Sequence, residues 1–340
     1  MKNVELISPF IDDPRFNADG LVLSERYAET MNGIVLPWLA ARRTDTTVAG
    51  EDERPLFCSR FDAESPRGTV MIVHGFTENA DKYAESIHSL LRCGYSVVAY
   101  DQRGHGRSWR DPEITDMSLT HVDRFGDYVA DLKAVCDAVL KAMPRPWLLF
   151  AHSMGGAVSS LFLENNPGVF ERAAFCAPMI APNLSGLPPV AAKLMCATAK
   201  RLGGDKKRVL FSRPYAGAEN FETSCATGRE RFEWYDALRV RTPEFQNNGP
   251  TYGWTREAIW ASKAVLSPGM VERIDIPVRL FTAENDGSVM PDAQEAFTAR
   301  LRDGRRVLVS GSKHEIYRSP DAVLFGWWRE ILDFWQRGSF

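Results

Sequence analysis

The stretch Pro146-Trp147-Leu148-Leu149-Phe150-Ala151-His152-Ser153-Met154-Gly155-Gly156 decides the reading of this chain. An apolar run ends at Ala151, a serine stands two residues on, and small residues then open a helical pattern reaching Glu164. Residues 151–156 nearly match G-x-S-x-G, the motif that carries a serine on a sharp strand-to-helix corner. Small neighbours are needed there, because larger side chains would run into the adjoining strand or helix. Ala151 stands where the first glycine is usual, and a methyl group is the smallest possible departure. The motif is short, and its weight comes from the apolar strand before it and the helix after it.

The same alternation extends outward on both sides. Strands are expected over 55–61, 68–75, 95–100, 146–151 and 173–177, and helices over 80–93, 122–142 and 154–164. Short, continuous apolar strands between amphipathic helices indicate a mostly parallel sheet covered on both faces, an α/β fold. The rhythm stops at Pro178 and resumes with a strand over 276–282, a helix over 291–301, a strand over 306–309 and a helix over 320–336. A segment that interrupts the alternation and lets it resume is an insertion. The expected organisation is an N-terminal arm over 1–50, a core over 51–178 and 271–340, and a mainly helical cap over 179–270. The arm has weak periodicity and room for one strand.

Composition narrows the function classes. The chain has 340 residues, 44% of them hydrophobic and 25% charged, with a formal net charge of -3. These values are ordinary for a globular protein and exclude disordered and collagenous classes. A strongly basic balance, the footprint of a nucleic-acid partner, is absent. The six cysteines have no C-x-x-C spacing, so zinc and dithiol readings fail. The first residues lack the apolar core of a secretory signal, and no run of about 18 apolar residues exists to span a bilayer. The expectation is a cytoplasmic protein.

A serine nucleophile needs a base, and the base needs an orienting carboxylate. His314 is the only histidine after Ser153, in a loop following a strand. Asp286, in Glu284-Asn285-Asp286-Gly287-Ser288 after the 276–282 strand, is the preferred acid over Glu284 and Asp292. The oxyanion formed on attack needs two backbone N–H donors: that of Met154, directly after the serine, and that of Phe76, in the loop after the 68–75 strand. His74 and His152 are read as shaping their loops, and Asp101 and Arg103 as pinning a turn. The chemistry needs no metal or cofactor.

Together, His74-Gly75-Phe76, Asp101-Gln102-Arg103-Gly104-His105-Gly106, residues 151–156, Asp286 and Lys313-His314-Glu315 resemble the α/β-hydrolase superfamily. More narrowly, they resemble its monoacylglycerol lipase and lysophospholipase L2 branch, of serine aminopeptidase S33 type. Thr77-Glu78-Asn79, Lys82-Tyr83-Ala84-Glu85 and the insertion after Cys176-Ala177-Pro178-Met179 belong to the same likeness. Gly249-Pro250-Thr251-Tyr252-Gly253-Trp254 is similar to a segment of bacterial lysophospholipase L2 proteins. The likeness covers about residues 50–337. It implies a serine hydrolase that cleaves esters of apolar acyl chains, lysophospholipid or monoacylglycerol in type, through an acyl-enzyme.

The cap is rich in Phe, Tyr and Trp, which suits an apolar acyl chain. Met179, Tyr252 and Trp254 are the residues expected to contact the substrate. An amphipathic helix over 187–202 gives the cap a surface for peripheral contact with the inner face of the membrane. Two alternatives stand beside this reading. One is an aminopeptidase or other small-molecule hydrolase on the same core, with Glu219, Glu222, Glu230 or Glu233 meeting a substrate ammonium. The other is a non-catalytic ligand-binding pseudo-hydrolase.

Overall fold

A computed structural model describes residues 22–184, 186–210 and 212–336. Eight strands form one sheet: β1 Arg43–Ala49, β2 Pro55–Phe61, β3 Thr69–Val73, β4 Ser96–Tyr100, β5 Trp147–His152, β6 Arg172–Cys176, β7 Val278–Asn285 and β8 Gly304–Lys313. Their spatial order is β1-β2-β4-β3-β5-β6-β7-β8. β1 and β2 are antiparallel to their neighbours, and the pairs from β4 to β8 are parallel. Every residue of β3, β4 and β5 is buried. This is why those strands read as unbroken apolar runs instead of alternating ones.

Helices cover both faces: α1 Ala84–Arg92, α2 Gly126–Ala138, α3 Met154–Asn165, α4 Pro189–Arg201, α5 Arg229–Arg241, α6 Tyr252–Val265, α7 Pro291–Arg300 and α8 Asp321–Gln336. α2, α3, α6 and Phe297 of α7 share one apolar cluster with one face of the sheet. α1, α8 and the N-terminal segment share the cluster on the other face. Trp327, Trp328 and Trp335 of α8 lie within this second cluster, so the C-terminal tryptophans serve packing.

Two regions differ from the sequence reading. Within the expected arm, residues 1–21 lie outside the described part, but the remainder is built into the fold. Its chain is helical through Tyr27–Thr30, Met31–Val35 (a π-helical turn) and Leu36–Ala40. Tyr27, Met31, Val35 and Leu39 are all buried against the second cluster. β1 then pairs along its whole length with β2, so the sheet begins before residue 50.

The interruption over 179–270 is also less uniform than one cap. Trp254, Ala258, Ala261 and Val265 of α6 join the cluster that holds Met154, Ala157 and Val158. Trp234 and Tyr235 of α5 join the opposite cluster with Tyr27 and Tyr317. Of α4, α5 and α6, α4 is the one with no described residue in either cluster.

Candidate active site

Three loops at the C-terminal edge of the sheet converge: those after β3, β5 and β8, with the β7 loop alongside. Parallel strands place ligand-handling residues at this edge. Register brings them together, since Val73 pairs with Ala151 and His152 with Cys176.

Ser153 sits at the corner between β5 and α3 with φ 49° and ψ -120°. A serine in this region stores strain of about 1–3 kcal/mol, which persists only when neighbours hold it. The neighbours here are close-fitting. A Cβ on Gly155 would come within 2.2 Å of the Val73 carbonyl oxygen, and one on Gly156 within 2.3 Å of Pro178 Cβ. Ala151 is fully buried inside the sheet, and its methyl is accommodated there. Although Ser153 precedes the helix, its hydroxyl does not cap α3. The hydroxyl oxygen instead lies 2.9 Å from His314 Nε2.

His314 Nδ1 is 2.8 Å from Asp286 Oδ2. The other oxygen of Asp286 accepts the N–H groups of Ser288, at 2.8 Å, and Val289, at 3.1 Å. Burial works to raise the Asp286 pKa, but His314 and these two amides outweigh it and hold the carboxyl below its usual range. The competitor Glu284 faces away and accepts from the backbone N–H of Gly311 at 2.9 Å. Ser153, His314 and Asp286 thus form one continuous chain of contacts, with all three side chains largely buried.

The β3 loop passes against the serine. A Cβ on Gly75 would stand 3.0 Å from Ser153 Cβ. Phe76 and Met154 therefore flank Ser153, and among the described residues neither backbone N–H donates a hydrogen bond. Met179 is also adjacent: its N–H donates to the Ser153 carbonyl at 2.8 Å. Trp254 lies on Phe76, with ring centroids 4.0 Å apart and planes at 35°. Tyr252 is engaged elsewhere, its hydroxyl accepting the Leu210 N–H at 3.3 Å.

Burial pushes His74 down to about 4 and keeps its imidazole neutral. Its Nε2 accepts the Gln102 N–H at 2.9 Å, so Nδ1 donates to the Gly75 carbonyl at 2.7 Å. Asp101 accepts the amides of Ala80 and Arg107 at 2.7 and 2.9 Å, and Arg103 makes a bidentate bond to Asp131 at 2.6 and 2.7 Å. All of these are loop-shaping contacts.

Glu78 is the functional-site residue whose position the sequence reading left without a role. Its carboxylate accepts from the Gly75 N–H at 2.6 Å, the Tyr83 hydroxyl at 2.5 Å and the Lys82 ammonium at 2.9 Å. It also receives the Tyr317 hydroxyl and His152 Nδ1, the latter at 3.1 Å. His152 Nε2 in turn lies 3.2 Å from the His314 carbonyl. Glu78 and Lys82 are four residues apart, but Glu78 precedes the helical turn Ala80–Tyr83, so the spacing alone carries no helix-pair signal.

Next to this network lies a polar cavity of about 220 Å³, bordered by Thr77, Lys82, Glu315, Arg318, Asp236 and Arg239 among others. Thr77 follows Phe76, and Glu315 follows His314, so the cavity is lined by the chain neighbours of those two residues. Asp236 is raised by burial; its carboxylate accepts the Glu219 N–H at 3.3 Å. Of the four acidic cap residues named from sequence, Glu219 alone borders this cavity. Asp111, His121 and Asp123 bring potential metal-ligand atoms within 4.8 Å of one another. The Lys206 ammonium already occupies Asp111 at 2.8 Å, however, and His121 Nδ1 is 2.8 Å from the Thr251 hydroxyl.

Residues 64–321 match the family described as serine aminopeptidase, S33. The chain is 32% identical to lysophospholipase L2 of Escherichia coli (strain K12) over 307 residues, 87% of this chain and 88% of that protein. Monoglyceride lipase of Mus musculus is 31% identical over 149 residues, 42% of this chain and 47% of that protein. Among solved structures, a soluble variant of monoglyceride lipase from Saccharomyces cerevisiae in complex with a substrate analog superimposes with a TM-score of 0.66. That likeness covers 86% of this chain and 95% of the other at 15% identity, which speaks to the fold alone.

Proposed function

The chain belongs to the serine aminopeptidase S33 family of α/β-hydrolases, and we propose that within it Ser153, His314 and Asp286 hydrolyse fatty-acyl esters of the lysophospholipid or monoacylglycerol type. It is a carboxylic ester hydrolase for lipid-like substrates. The observation that carries the mechanism is the unbroken contact from Asp286 through His314 to Ser153.

Ser153 Oγ attacks the ester carbonyl carbon while its proton passes to His314 Nε2. Asp286 fixes the imidazole tautomer and balances the imidazolium charge. The Phe76 and Met154 N–H groups receive the oxyanion, and each such donor contributes about 3 kcal/mol to the transition state. Collapse breaks the bond to the alcohol oxygen, which leaves with the proton from His314. Water then attacks the acyl-enzyme, giving its proton to His314 as the serine–acyl bond breaks and Ser153 recovers a proton. Ser153→Ala should abolish ester turnover and fluorophosphonate labelling with an unchanged fold. Retained esterase activity in that variant would refute the mechanism.

The cap over 179–270 supplies the substrate sides, with α6 as its root in the core. An apolar acyl chain contributes about 0.8 kcal/mol per buried CH₂, so kcat/KM should rise from acetate to medium and long p-nitrophenyl esters. A flat profile counts against a lipid substrate. The polar cavity beside Thr77 and Glu315 receives the alcohol portion, and its mixed charges suit a polar headgroup. The same Asp236 and Glu219 carboxylates support the second reading, hydrolysis of an aminoacyl substrate carrying an ammonium. Comparing a lysophospholipid, a monoacylglycerol and an aminoacyl amide on one enzyme sample separates the two.

No helix of the described residues is long and apolar enough to cross a membrane. Peripheral contact is the form proposed here. Leu187, Val190, Leu194, Leu202 and Leu210 are exposed on and around α4. Lys193, Lys200 and Arg201 stand among them, a pattern suited to an anionic lipid surface. Co-sedimentation with anionic liposomes should depend on Val190 and Leu194. Protein that stays wholly in the supernatant removes this proposal.

A further inference from the structure

We propose that Trp254 is a positioning residue for the oxyanion hole: by holding the Phe76 ring it fixes the Phe76 amide against Ser153. The inference rests on the reading of that amide as an oxyanion donor.

The Phe76–Thr77 step of the β3 loop depends on its surroundings. Gly75 is fixed by its N–H to Glu78, but Thr77 has φ +62°, an unfavourable backbone conformation for a β-branched residue. Such a conformation persists only where the surroundings enforce it. Phe76 lies between these two residues, and its ring is the handle. One side of the ring meets Trp254 at 4.0 Å, and His105 meets it edge-on at 5.9 Å and 83°.

Trp254 is itself fixed from the core. Its backbone N–H donates to the hydroxyl of Thr251, the N-cap of α6, at 3.0 Å. The Thr251 N–H donates to the Thr120 carbonyl at 3.0 Å, and the Thr251 hydroxyl meets His121 Nδ1 at 2.8 Å. Gly253 admits no side chain, because a Cβ there would lie 2.4 Å from His121 Cε1. Further along the same helix, Ala258 and Ala261 pack in the cluster that contains Met154. One helix therefore braces both proposed donors: Met154 through the core, and Phe76 through Trp254. A hole built this way has its geometry set before substrate arrives, which is what stabilises charge appearing only in the transition state.

The test measures kcat and KM with p-nitrophenyl octanoate, and inhibition by an octyl trifluoromethyl ketone, whose serine adduct carries an oxyanion. Removing a donor outright typically costs 10²–10³ in kcat, so Trp254→Ala, which loosens one donor, should lower kcat by about tenfold to a hundredfold. KM should stay within about threefold, and the ketone should weaken in step with kcat. Trp254→Phe, which keeps a ring over Phe76, should restore most of the rate. Phe76→Ala should match Trp254→Ala, and the double variant should be no worse than the poorer single, because both act through one contact. Val265→Ala, buried at the far end of the same helix, should lower thermal stability while kcat holds. If Trp254→Ala does not fold, Trp254→Leu takes its place.

A rise in KM at constant kcat would overturn the proposal and make Trp254 a substrate contact. Additive losses in the double variant, or a kcat loss in Val265→Ala matching its stability loss, would overturn it as well. Failure of the underlying reading has a separate sign: turnover that survives Ser153→Ala.

Discussion

The Glu78 carboxylate lies 3.1 Å from His152 Nδ1, and both side chains are almost wholly buried. His152 links this charge to His314, since its ring stands 4.8 Å from the His314 ring and its Nε2 meets the His314 carbonyl. Burial alone would raise the Glu78 pKa. The Lys82 ammonium, followed by His152, outweighs it and holds the carboxyl well below its ordinary range. A depressed carboxyl contributes stability above about pH 4.5, and that contribution is lost as pH falls toward the folded value. Glu78→Gln should therefore cost about 3–5 kcal/mol near neutrality, as broken buried pairs do. It should also make stability less steeply dependent on acid. Displacement of His314 should lower kcat by about tenfold to a hundredfold. Urea unfolding at pH 4 and 7 with parallel kinetics checks both effects; a variant with native kcat would separate Glu78 from the base.

Gly75 and Ala151 make opposite predictions for small changes near one serine. A methyl on Gly75 would meet His152 Nδ1 at 2.8 Å, Glu78 Oε2 at 2.9 Å and Ser153 Cβ at 3.0 Å. Gly75→Ala must displace part of the triad's support and should cost at least about 10²-fold in kcat/KM. Ala151→Gly removes a methyl that already fits inside β5. It should leave kcat within about threefold and cost roughly 0.5–1 kcal/mol of stability. Steady-state kinetics and thermal melts of the two variants decide the matter, and equal activity losses would show that Ala151 is a functional departure from the motif.

Legibility in the sequence follows what each segment buries. β3, β4 and β5 are covered on both faces, so their apolar runs stand out, and the loops after them could be placed from sequence. β1 answers to the one strand for which the arm left room, but its bounds were not legible because Thr44, Asp45, Thr46 and Thr47 are exposed at the sheet edge, leaving no alternation to read. The N-terminal helix did carry a signal, Tyr27, Met31, Val35 and Leu39 at four-residue spacing, but Gly33 and Pro37 within it pointed to a loop. His314 was accessible by elimination, as the last of six histidines. Glu78 was not, since a carboxylate near a glycine loop has no distinguishing pattern until Tyr317 and His152 arrive from distant sequence. Lys206-Lys207-Arg208 is a short basic run whose letters name no partner, and Lys206 and Arg208 bridge Asp111, Glu113 and Asp116.

Arg231 of α5 ties the cap to three other parts of the chain. Its guanidinium meets Glu85 at 2.8–3.1 Å, Asp321 at 2.8 Å, the Ser24 hydroxyl at 2.9 Å and the Val22 carbonyl at 2.8 Å. The side chain is fully buried, so removing it leaves Glu85 with the Tyr27 hydroxyl at 2.9 Å but without the opposite charge that offsets its burial. Arg231→Met should cost about 3–5 kcal/mol, and adding Glu85→Gln should recover a large share, because the desolvation cost belongs to the unpaired charge. Denaturant midpoints of the two singles and the double check this. Strictly additive losses would mean that the two side chains are not coupled.

Glu164, near the end of α3, makes the opposite pH prediction to Glu78. It is almost fully buried, and among the described residues neither of its carboxylate oxygens has a hydrogen-bond partner. Burial pushes it up to about 8, with Arg300 and Arg273 only partly offsetting the effect. For a group whose folded pKa is raised, stability is fully present below the unfolded value, near 4.5, and is lost as pH rises through the folded one. At about 1.4 kcal/mol per unit, the loss between pH 4.5 and 8 is on the order of 3–5 kcal/mol. Glu164→Gln keeps the shape and removes the titration. It should match the native protein near pH 5 and exceed it by a few kcal/mol at pH 9. The comparison within one pair of proteins cancels every other titrating group. Parallel pH profiles for the two would show that Glu164 finds a partner or water on ionising, and would end the argument for a buried neutral carboxyl.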